Sequence, residues 1–175
     1  SRKVFLNELM QVYEALRSGR SSSLTSLPVQ YSDYALWQRE WLSGENLAAY
    51  VAHWKEILSG TLPVLELPTD RPRPAVQSFS GARHHFQLPV SLTSQIKEFC
   101  QKERLTPFHM LLAAYALLLK RYTGQDDLII GCPFANRARP ELDPLVGLFV
   151  NTLPIRLNLQ GNPSVRELLI KVRTT

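Results

Sequence analysis

Apolar residues recur every three or four positions along much of the chain, which is the spacing of one face of an α-helix. This pattern runs through residues 1–16, 31–42 and 47–58, and it predicts a helix over each segment. Another helix is predicted after Pro89, where Ser91 is a suitable N-terminal cap. We interpret the second and third of these helices as packing elements and not as ligand sites.

A longer helix is predicted over residues 107–124. Thr106 can cap it, Pro107 suits a first position that needs no backbone N–H, and Gly124 is typical of a helix end. The segment is apolar on almost every face, so we expect it to lie inside a layered fold. Its apolar run over 110–119 is too short to cross a bilayer.

Three segments have the pattern of β-strands, namely residues 80–89, 126–137 and 146–159. A Ser-rich linker is predicted over 17–30, and a last helix over 164–175. Because helices alternate with strands along the chain, the order of elements predicts an α/β sandwich.

The last predicted strand carries an amide on its more apolar side. Residues at alternate positions share a face, so Asn151 lies in a row with Phe149, Leu153 and three further apolar residues. A buried amide without a partner costs about 1–3 kcal/mol, so some group has to bond Asn151. One interpretation is a β-bulge whose backbone bonds this amide, with Pro154 at a position where the sheet needs no donor.

Composition places the chain among ordinary globular domains. Of its 175 residues, 45% are hydrophobic and 20% are charged. The formal net charge is +5, and the basic residues are scattered, which argues against nucleic acid as a partner. Because no signal segment opens the chain and no apolar run spans a bilayer, we predict a cytoplasmic location and no membrane partner.

Side chains suited to catalysis or metal binding are few. Cys100 and Cys132 form neither a disulfide framework nor a recognisable metal site, so we expect two buried thiols and no metal. His84 and His85 are adjacent, and imidazole suits general-base work. Neighbours in a strand point to opposite faces, however, and no nucleophile signature accompanies them. We favour a half-exposed histidine pair in a strand and assign no catalytic residue.

Four blocks of the chain share their residues and their order with a known family. They are YSDYALWQ at 31–38, DRPRP at 70–74, the run from TPFHM to PFANR at 106–137, and LVGLFVNTLPIR at 145–156. The chain thereby resembles the condensation domains of nonribosomal peptide synthetases over nearly its whole length. Epimerisation domains share that fold but usually differ at the last block, so FVNTLP favours condensation.

The resemblance implies an α/β fold like that of chloramphenicol acetyltransferase, with two lobes and a tunnel between them. Carrier domains bring substrates tethered to phosphopantetheine into the two ends of the tunnel, where the acceptor amine attacks the donor thioester. The implied partners are therefore donor and acceptor peptidyl carrier domains and an adjoining adenylation domain. No cofactor is expected to bind directly.

The catalytic signature of that family, H-H-x-x-x-D-G, is not present in this chain. The pair His84–His85 continues as FQLPV, so Pro89 and Val90 stand where Asp and Gly belong. We therefore expect a partial condensation domain that is inactive by itself. Three parts are expected: 1–16 as the end of the first lobe, 17–30 as a linker, and 31–175 as most of an incomplete second lobe.

The resemblance also suggests residues that line the tunnel. The strand with Asn151 is expected where the lobes meet, so the alternative to a bulge is that Asn151 bonds an amide of the pantetheine arm or substrate. The substrate-channel candidates are Gly131, Pro133, Asn151 and Thr152. Arg137 and Arg139 are candidates for contact with a carrier domain, although a solvated loop is the favoured interpretation for both.

Two functions of different classes remain open. The chain is either part of an amide-forming enzyme or part of a non-catalytic, condensation-like module that binds carrier or partner proteins. An intact signature upstream of Ser1 would favour the first function, and its absence or replacement the second. A stand-alone small domain would melt cooperatively as a monomer, whereas we expect exposed apolar surface and aggregation.

Overall fold

The structure is a computed structural model that describes residues 1–22, 24–72, 74–76 and 78–175. Ser23 of the predicted linker, Arg73 of the DRPRP block and Gln77 lie outside the described residues. Within the described ranges the elements are α1 (Arg2–Arg17), α2 (Tyr31–Trp41), α3 (Gly44–Ile57), α4 (Val90–Lys102), α5 (Pro107–Thr123), β1 (Asp127–Phe134), a 3₁₀-helix (Pro140–Leu142), β2 (Asn151–Asn158) and α6 (Val165–Thr174).

The chain divides into two compact units. The first combines Ser1–Ser59 with Gly131–Leu153, and the second combines Gly60–Ile130 with Pro154–Thr175. The strands β1 and β2 pair in a two-stranded sheet, and each contributes residues to both units. The predicted lobe and linker boundaries stay predictions.

Helix α5 forms as its sequence predicts, with both ends capped. The Thr106 hydroxyl accepts a hydrogen bond from the backbone N–H of His109 (3.3 Å), and His109 Nδ1 accepts one from the Thr106 N–H (3.2 Å). Gly124 follows the last helical residue with a φ of 72°, a left-handed conformation that glycine adopts without steric cost. Both signals are local, which is why the sequence reveals them.

The expectation that α5 lies inside the fold holds for only one of its sides. Leu112 and Leu119 belong to a buried face, and the helix contacts α4 and α6. The opposite side carries an apolar row that is 46–64% exposed, which we name the α5 stripe: Phe108, Leu111, Tyr115, Leu118 and Tyr122. Helix α1 is similar, since none of its residues is buried and its apolar side chains are exposed. The chain therefore presents extensive apolar surface, as predicted.

Helix α4 begins at Val90, and the predicted cap is wrong. Pro89 occupies the N-cap position, and no side chain caps the helix, so Ser91 is a residue of its first turn. Proline fixes its own φ and keeps the chain extended up to the helix, which sets the start without a capping hydroxyl.

Helix α6 begins with a complete capping box. The Ser164 hydroxyl accepts the Glu167 N–H (3.3 Å), and the Glu167 carboxylate accepts the Ser164 N–H (2.7 Å). The hydrogen bond from the Ser164 hydroxyl, more than any other influence, lowers the pKa of Glu167 below its ordinary value. The helix then buries Leu168, Leu169 and Val172.

The strand predictions are confirmed only in part. Strand β1 forms within the predicted segment, but β2 begins at Asn151 and not at residue 146. Ser1 Oγ donates to the Gly147 carbonyl (2.6 Å), and the Tyr31 hydroxyl donates to the Leu148 carbonyl (2.9 Å). These side chains take carbonyls that a neighbouring strand would otherwise bond, so pairing starts later.

Residues 80–89 contain no strand in the described structure, which corrects the third strand prediction. Described residues of this segment are exposed, including His84 and His85. Alternating polarity forms a strand only where another strand bonds the backbone N–H and C=O groups, and the described sheet contains β1 and β2 alone.

Charged side chains fix the strand ends in the second unit. Arg156 on β2 bonds both oxygens of Asp127 on β1, with Nη2 2.7 Å from Oδ2. Lys120 on α5 pairs with Asp126 (2.6 Å) and donates to the Leu159 carbonyl (3.0 Å). A two-pronged guanidinium contact adds geometric specificity to the attraction, so the Arg156–Asp127 pair favours this register of β1 and β2.

Candidate functional site

Blocks that are distant in the sequence converge on one aromatic cluster in the first unit. Tyr34, Leu145 and Phe149 are buried together, and Tyr31 packs on them. The Phe149 ring centroid lies 4.7 Å from that of Tyr34 and meets the Tyr31 ring edge-on at 5.3 Å. Tilted and edge-on ring pairs at these distances are favourable. The cluster therefore ties α2 to the segment that precedes β2.

Gly147 permits this close approach. A Cβ atom at position 147 would overlap the ring of Tyr31. The ring is held by its edge-on contact with Phe149 and by the hydrogen bond from its hydroxyl to Leu148, so it has little freedom to move aside. The glycine of the LVGLFVN block is thus explained by packing.

Arg137 connects the first residue of the chain to the segment 142–149, which carries part of the aromatic cluster. Its guanidinium donates to the carbonyls of Leu142 and Leu145, the latter at 2.8 Å, and to Ser1 Oγ at 3.1 Å. It also lies 4.0 Å above the centroid of the Phe149 ring, a cation–π contact. The planar fork of donors suits such multiple contacts. Arg137 therefore has a structural role within its own unit, and its contact with a carrier domain stays a prediction.

An open cavity of about 570 Å³ lies beside the cluster, within the first unit. We name it the aromatic cavity, because all three tryptophans of the chain line it together with Tyr50 and Phe134: Trp37, Trp41 and Trp54. Its volume falls within the range of about 300–1,000 Å³ that is typical of small-molecule sites. Helices α2 and α3 supply its tryptophans and Tyr50.

The aromatic rings of the wall form a continuous ladder. Trp37 and Trp41 stack with centroids 5.7 Å apart, and Tyr50 follows 5.4 Å from Trp41. The Arg139 guanidinium lies 5.0 Å from the centroid of Trp37, which places a cation at the rim. Trp37, Trp41 and Tyr50 are 38%, 39% and 44% exposed, so part of each ring surface is accessible to a ligand.

A polar group lies at the inner end of the cavity. The Tyr34 hydroxyl accepts hydrogen bonds from Gln38 Nε2 (2.9 Å) and Asn136 Nδ2 (3.3 Å), and Tyr34 is only 6% exposed. Burial, more than any other influence, raises the pKa of Tyr34, and the neighbouring Tyr31 raises it further. The hydroxyl therefore keeps its proton at neutral pH and can donate it to an acceptor.

The structure brings two of the predicted site residues to the aromatic cavity. Asn151 and Arg139 line it, whereas Arg137 and three channel candidates do not: Gly131, Pro133 and Thr152. Gly131 and Thr152 face each other, since a Cβ at Gly131 would lie 3.1 Å from Thr152 Cγ2. All four channel candidates are exposed. Their role in a substrate channel stays a prediction.

Asn151 is exposed, so the expectation of a buried amide at this position is wrong. Its side chain makes no hydrogen bond to any described residue, which leaves the proposed backbone bulge without support. Of the alternate residues 151, 153, 155 and 157 on β2, only Leu157 is fully buried. Asn151 lies at the exposed start of the strand, and its amide faces the cavity region.

Sequence reasoning missed most of the cavity because the apolar spacing of α2 and α3 is also that of packing helices. A usable signal was present in YSDYALWQREW. Tyr34, Trp37, Gln38 and Trp41 lie at helical spacings of three and four, which places them on one side of α2. The buried cluster around Tyr34 is small, so it cannot cover all of these aromatic side chains, and some of them have to lie on accessible surface.

Other potential catalytic groups lie apart from the cavity lining. His84 and His85 are exposed, and the His84 ring stacks on Phe86 with centroids 6.2 Å apart. Cys100 and Cys132 are free and buried, as predicted, and burial raises the pKa of the Cys132 thiol. Within the described ranges, no three His, Cys, Asp or Glu side chains gather as metal ligands, and no helix has the length and hydrophobicity to traverse a bilayer.

Comparison with known sequences gives consistent matches. A family model described as Condensation domain matches residues 1–175. One of the linear gramicidin synthase proteins of Brevibacillus parabrevis is 49% identical over 175 residues, which are 100% of this chain and 2% of that protein. Malpinin synthetase from Mortierella alpina is 46% identical over 170 residues, which are 97% of this chain and 2% of that protein. The chain thus spans a small part of the curated relatives it matches.

Solved structures show the same fold. The X-domain from teicoplanin biosynthesis gives a TM-score of 0.84 at 29% identity, over 98% of this chain and 39% of that one. The complex of that X-domain with OxyB gives the same TM-score and identity, over 99% of this chain and 39% of that one. The first condensation domain of the CDA synthetase gives a TM-score of 0.73 at 21% identity, over 98% of this chain and 37% of that one. These likenesses confirm the predicted α/β fold.

Proposed function

The chain belongs to the condensation-domain family, since the family model spans residues 1–175, and from this premise we propose that it is part of an amide-forming enzyme. In the proposed reaction the amine of an acceptor residue attacks a donor thioester. The C–N bond forms, the C–S bond breaks, the amine loses a proton and the thiol is released. The observation that carries the proposal is the 49% identity to a peptide synthetase across all 175 residues.

The proposed substrates are aminoacyl or peptidyl groups held as thioesters on phosphopantetheine. Donor and acceptor peptidyl carrier domains would present them, and an adenylation domain adjoining in the same longer protein would load the acceptor carrier. No cofactor is proposed to bind this chain directly. A cytoplasmic location belongs to the same proposal, because carrier loading consumes the metabolites of that compartment.

Within this enzyme we propose that the chain supplies channel wall and not the base. His84 and His85 are exposed, and their local sequence lacks the Asp and Gly of the family signature. We therefore propose that the proton of the attacking amine passes to a group outside these 175 residues. Asn151, whose amide bonds no described residue at the aromatic cavity, is the residue proposed to bond an amide of the pantetheine arm or of the substrate.

The test is amide formation by a longer protein that contains this chain. Its carriers are loaded from an amino-acid mixture, and the carrier-bound products are identified by mass spectrometry. We expect a dipeptidyl thioester on the acceptor carrier, formed several-fold more slowly by Asn151→Ala. Asn158→Ala is the matched control, since Asn158 lies at the other end of β2 and outside the cavity lining. Loaded carriers that yield no amide would refute the proposal.

A second candidate is a condensation-like module that binds partner proteins without catalysis. One observation favours it: the X-domain that matches this chain with a TM-score of 0.84 is also known in a complex with OxyB. This candidate predicts stable binding of a carrier or partner protein to the longer protein, with no amide product from loaded carriers. Binding by isothermal calorimetry together with the product assay separates the two functions.

A further inference from the structure

The aromatic cavity combines partly exposed aromatic rings with two polar groups, the Tyr34 hydroxyl and the Asn151 carboxamide, that have hydrogen-bonding capacity left to use. The Tyr34 hydroxyl already accepts two hydrogen bonds from amide N–H groups, so its own proton is left to donate. Tyr34 is more than nine-tenths buried, and it belongs to the cavity lining. A buried donor without an acceptor is costly, which indicates that a ligand oxygen completes the arrangement.

Asn151 adds a second unsatisfied group to the same lining. Its carboxamide both donates and accepts, and no described residue bonds it. The group that complements a carboxamide and a hydroxyl donor together is another amide, whose C=O accepts and whose N–H donates. The polar part of the lining therefore fits a peptide-like amide.

The charges of the lining limit the side chain of that ligand. Arg139 at the rim is the single charged residue among those that line the cavity in the described structure, and no carboxylate accompanies it. A cationic side chain would meet repulsion there without a counter-charge. The ladder of Trp37, Trp41 and Tyr50 instead offers partly exposed aromatic surface against which an apolar side chain can pack.

We propose that the aromatic cavity binds the aromatic side chain and adjoining amide of an aminoacyl or peptidyl substrate. The inference rests on the proposed function for the identity of the substrate, and it assigns the side-chain subsite. In the bound state the Tyr34 hydroxyl donates to the amide carbonyl, the Asn151 carboxamide bonds the same amide group, and the ring of the ligand packs on the tryptophan ladder.

The tryptophans make this site directly observable, because all three line the cavity. The tryptophan fluorescence of the chain is titrated with N-acetyl-phenylalanine amide. We expect a saturable change, with at least about tenfold weaker binding of N-acetyl-glycine amide and N-acetyl-lysine amide, since an apolar contact of this size is worth about 1.4 kcal/mol or more. Equal affinity for the three amides, or no saturable change, would overturn the proposal.

Two variants locate the binding. Tyr34→Phe removes only the hydroxyl, and it is expected to lower the affinity for N-acetyl-phenylalanine amide by about five- to tenfold. Tyr13 is an exposed tyrosine on α1, so Tyr13→Phe is the control and should leave the affinity unchanged. Ala138→Phe, which fills the cavity from an exposed position of its lining, is expected to abolish binding. Variants that fold, by circular dichroism, and bind as the wild type would contradict the assignment.

A photoreactive probe extends the test to the longer protein. N-acetyl-4-benzoyl-phenylalanine amide should label peptides of α2 and α3, and excess N-acetyl-phenylalanine amide should suppress the labelling. Labelling of the 175-residue chain but not of the longer protein would show that another segment occupies the cavity, which also overturns the proposal. A loss of amide formation with labelling intact would count against the proposed function and not against this subsite.

Discussion

Replacing Arg137 by methionine tests whether this residue holds the first unit together. Methionine keeps an unbranched apolar side chain against Phe149 but removes every donor of the guanidinium. The hydrogen bonds that disappear are those to the carbonyls of Leu142 and Leu145 and to Ser1 Oγ. Arg139→Met is the matched control, because Arg139 is exposed and makes a cation–π pair with Trp37 at 5.0 Å.

The expected cost follows from those hydrogen bonds. A hydrogen bond from a charged donor contributes about 1.5–3 kcal/mol, and water recovers part of this at the half-buried Arg137. The cation–π contact with Phe149, about 0.5–1 kcal/mol, is partly replaced by the methionine sulfur on the ring. We therefore expect Arg137→Met to destabilise the local structure by about 2–3 kcal/mol, and Arg139→Met by less than about 1 kcal/mol.

Hydrogen exchange of the amides over 142–147 measures this local stability. Leu142 and Leu145 N–H groups are bonded to nearby backbone carbonyls, so their exchange requires the segment to open. A loss of about 2–3 kcal/mol corresponds to exchange that is about 30- to 140-fold faster in Arg137→Met, against less than about fivefold in Arg139→Met. Equal exchange in the two variants would refute the reasoning and make Arg137 a solvated loop residue.

Three further predictions concern packing, surface and pH. Gly147→Ala should destabilise the first unit by about 1–3 kcal/mol in chemical unfolding because its Cβ overlaps the Tyr31 ring, whereas Gly81→Ala, with open space around it, should be neutral. Leu118→Gln on the α5 stripe should reduce self-association in sedimentation velocity, whereas Leu112→Gln on the buried face should instead unfold the second unit. The pKa of Glu167, the capping-box carboxylate of α6, is lowered in the folded chain. Its contribution to the stability of α6 is therefore complete above the ordinary pKa of 4.5 and is lost as the pH falls through the lowered pKa. The protection of the Glu167 and Leu168 amides, measured as exchange relative to an unstructured peptide at the same pH, should decrease as the pH falls below 4.5, and Ser164→Ala should flatten this dependence; protection that does not change with pH in the wild type would contradict it.

The helices were predictable because their signals are local. Thr106, Pro107 and Gly124 each act within one turn of the helix end they define, and the structure places α5 between them. The apolar spacing of α1, α2, α3 and α6 likewise reports a property of each segment alone. Where the predicted cap was wrong, at Ser91, a neighbouring proline had already fixed the chain direction.

The start of β2 and the arrangement of the site depend on contacts between distant residues. Tyr31 and Leu148 are 117 positions apart, and Ser1 and Gly147 are 146 positions apart. No periodicity within 146–159 reveals that side chains from elsewhere will bond its first carbonyls. The same holds for residues 80–89, whose alternation lacks a neighbouring strand in the described structure.

Of the residues that line the cavity, the sequence suggested Asn151 as a channel residue and Arg139 only as a carrier contact, and it did not suggest the aromatic residues beside them. Asn151 stands out because an amide is unusual in an apolar row, and such an exception is visible in one sequence. Trp37 and Trp41 are apolar residues on a helix, which is the ordinary composition of a packing face. Only the fold shows that these rings stay partly accessible, at 38% and 39% exposure.

The sequence directly upstream of Ser1, in the gene that encodes this chain, tests most directly whether the chain is part of an amide-forming enzyme. The proposed function requires a proton-accepting imidazole, and the described residues bring none to the cavity. We predict an in-frame H-H-x-x-x-D-G motif within a few residues before Ser1. A continuous reading frame in which the second histidine is absent or replaced would contradict the account and favour the non-catalytic module.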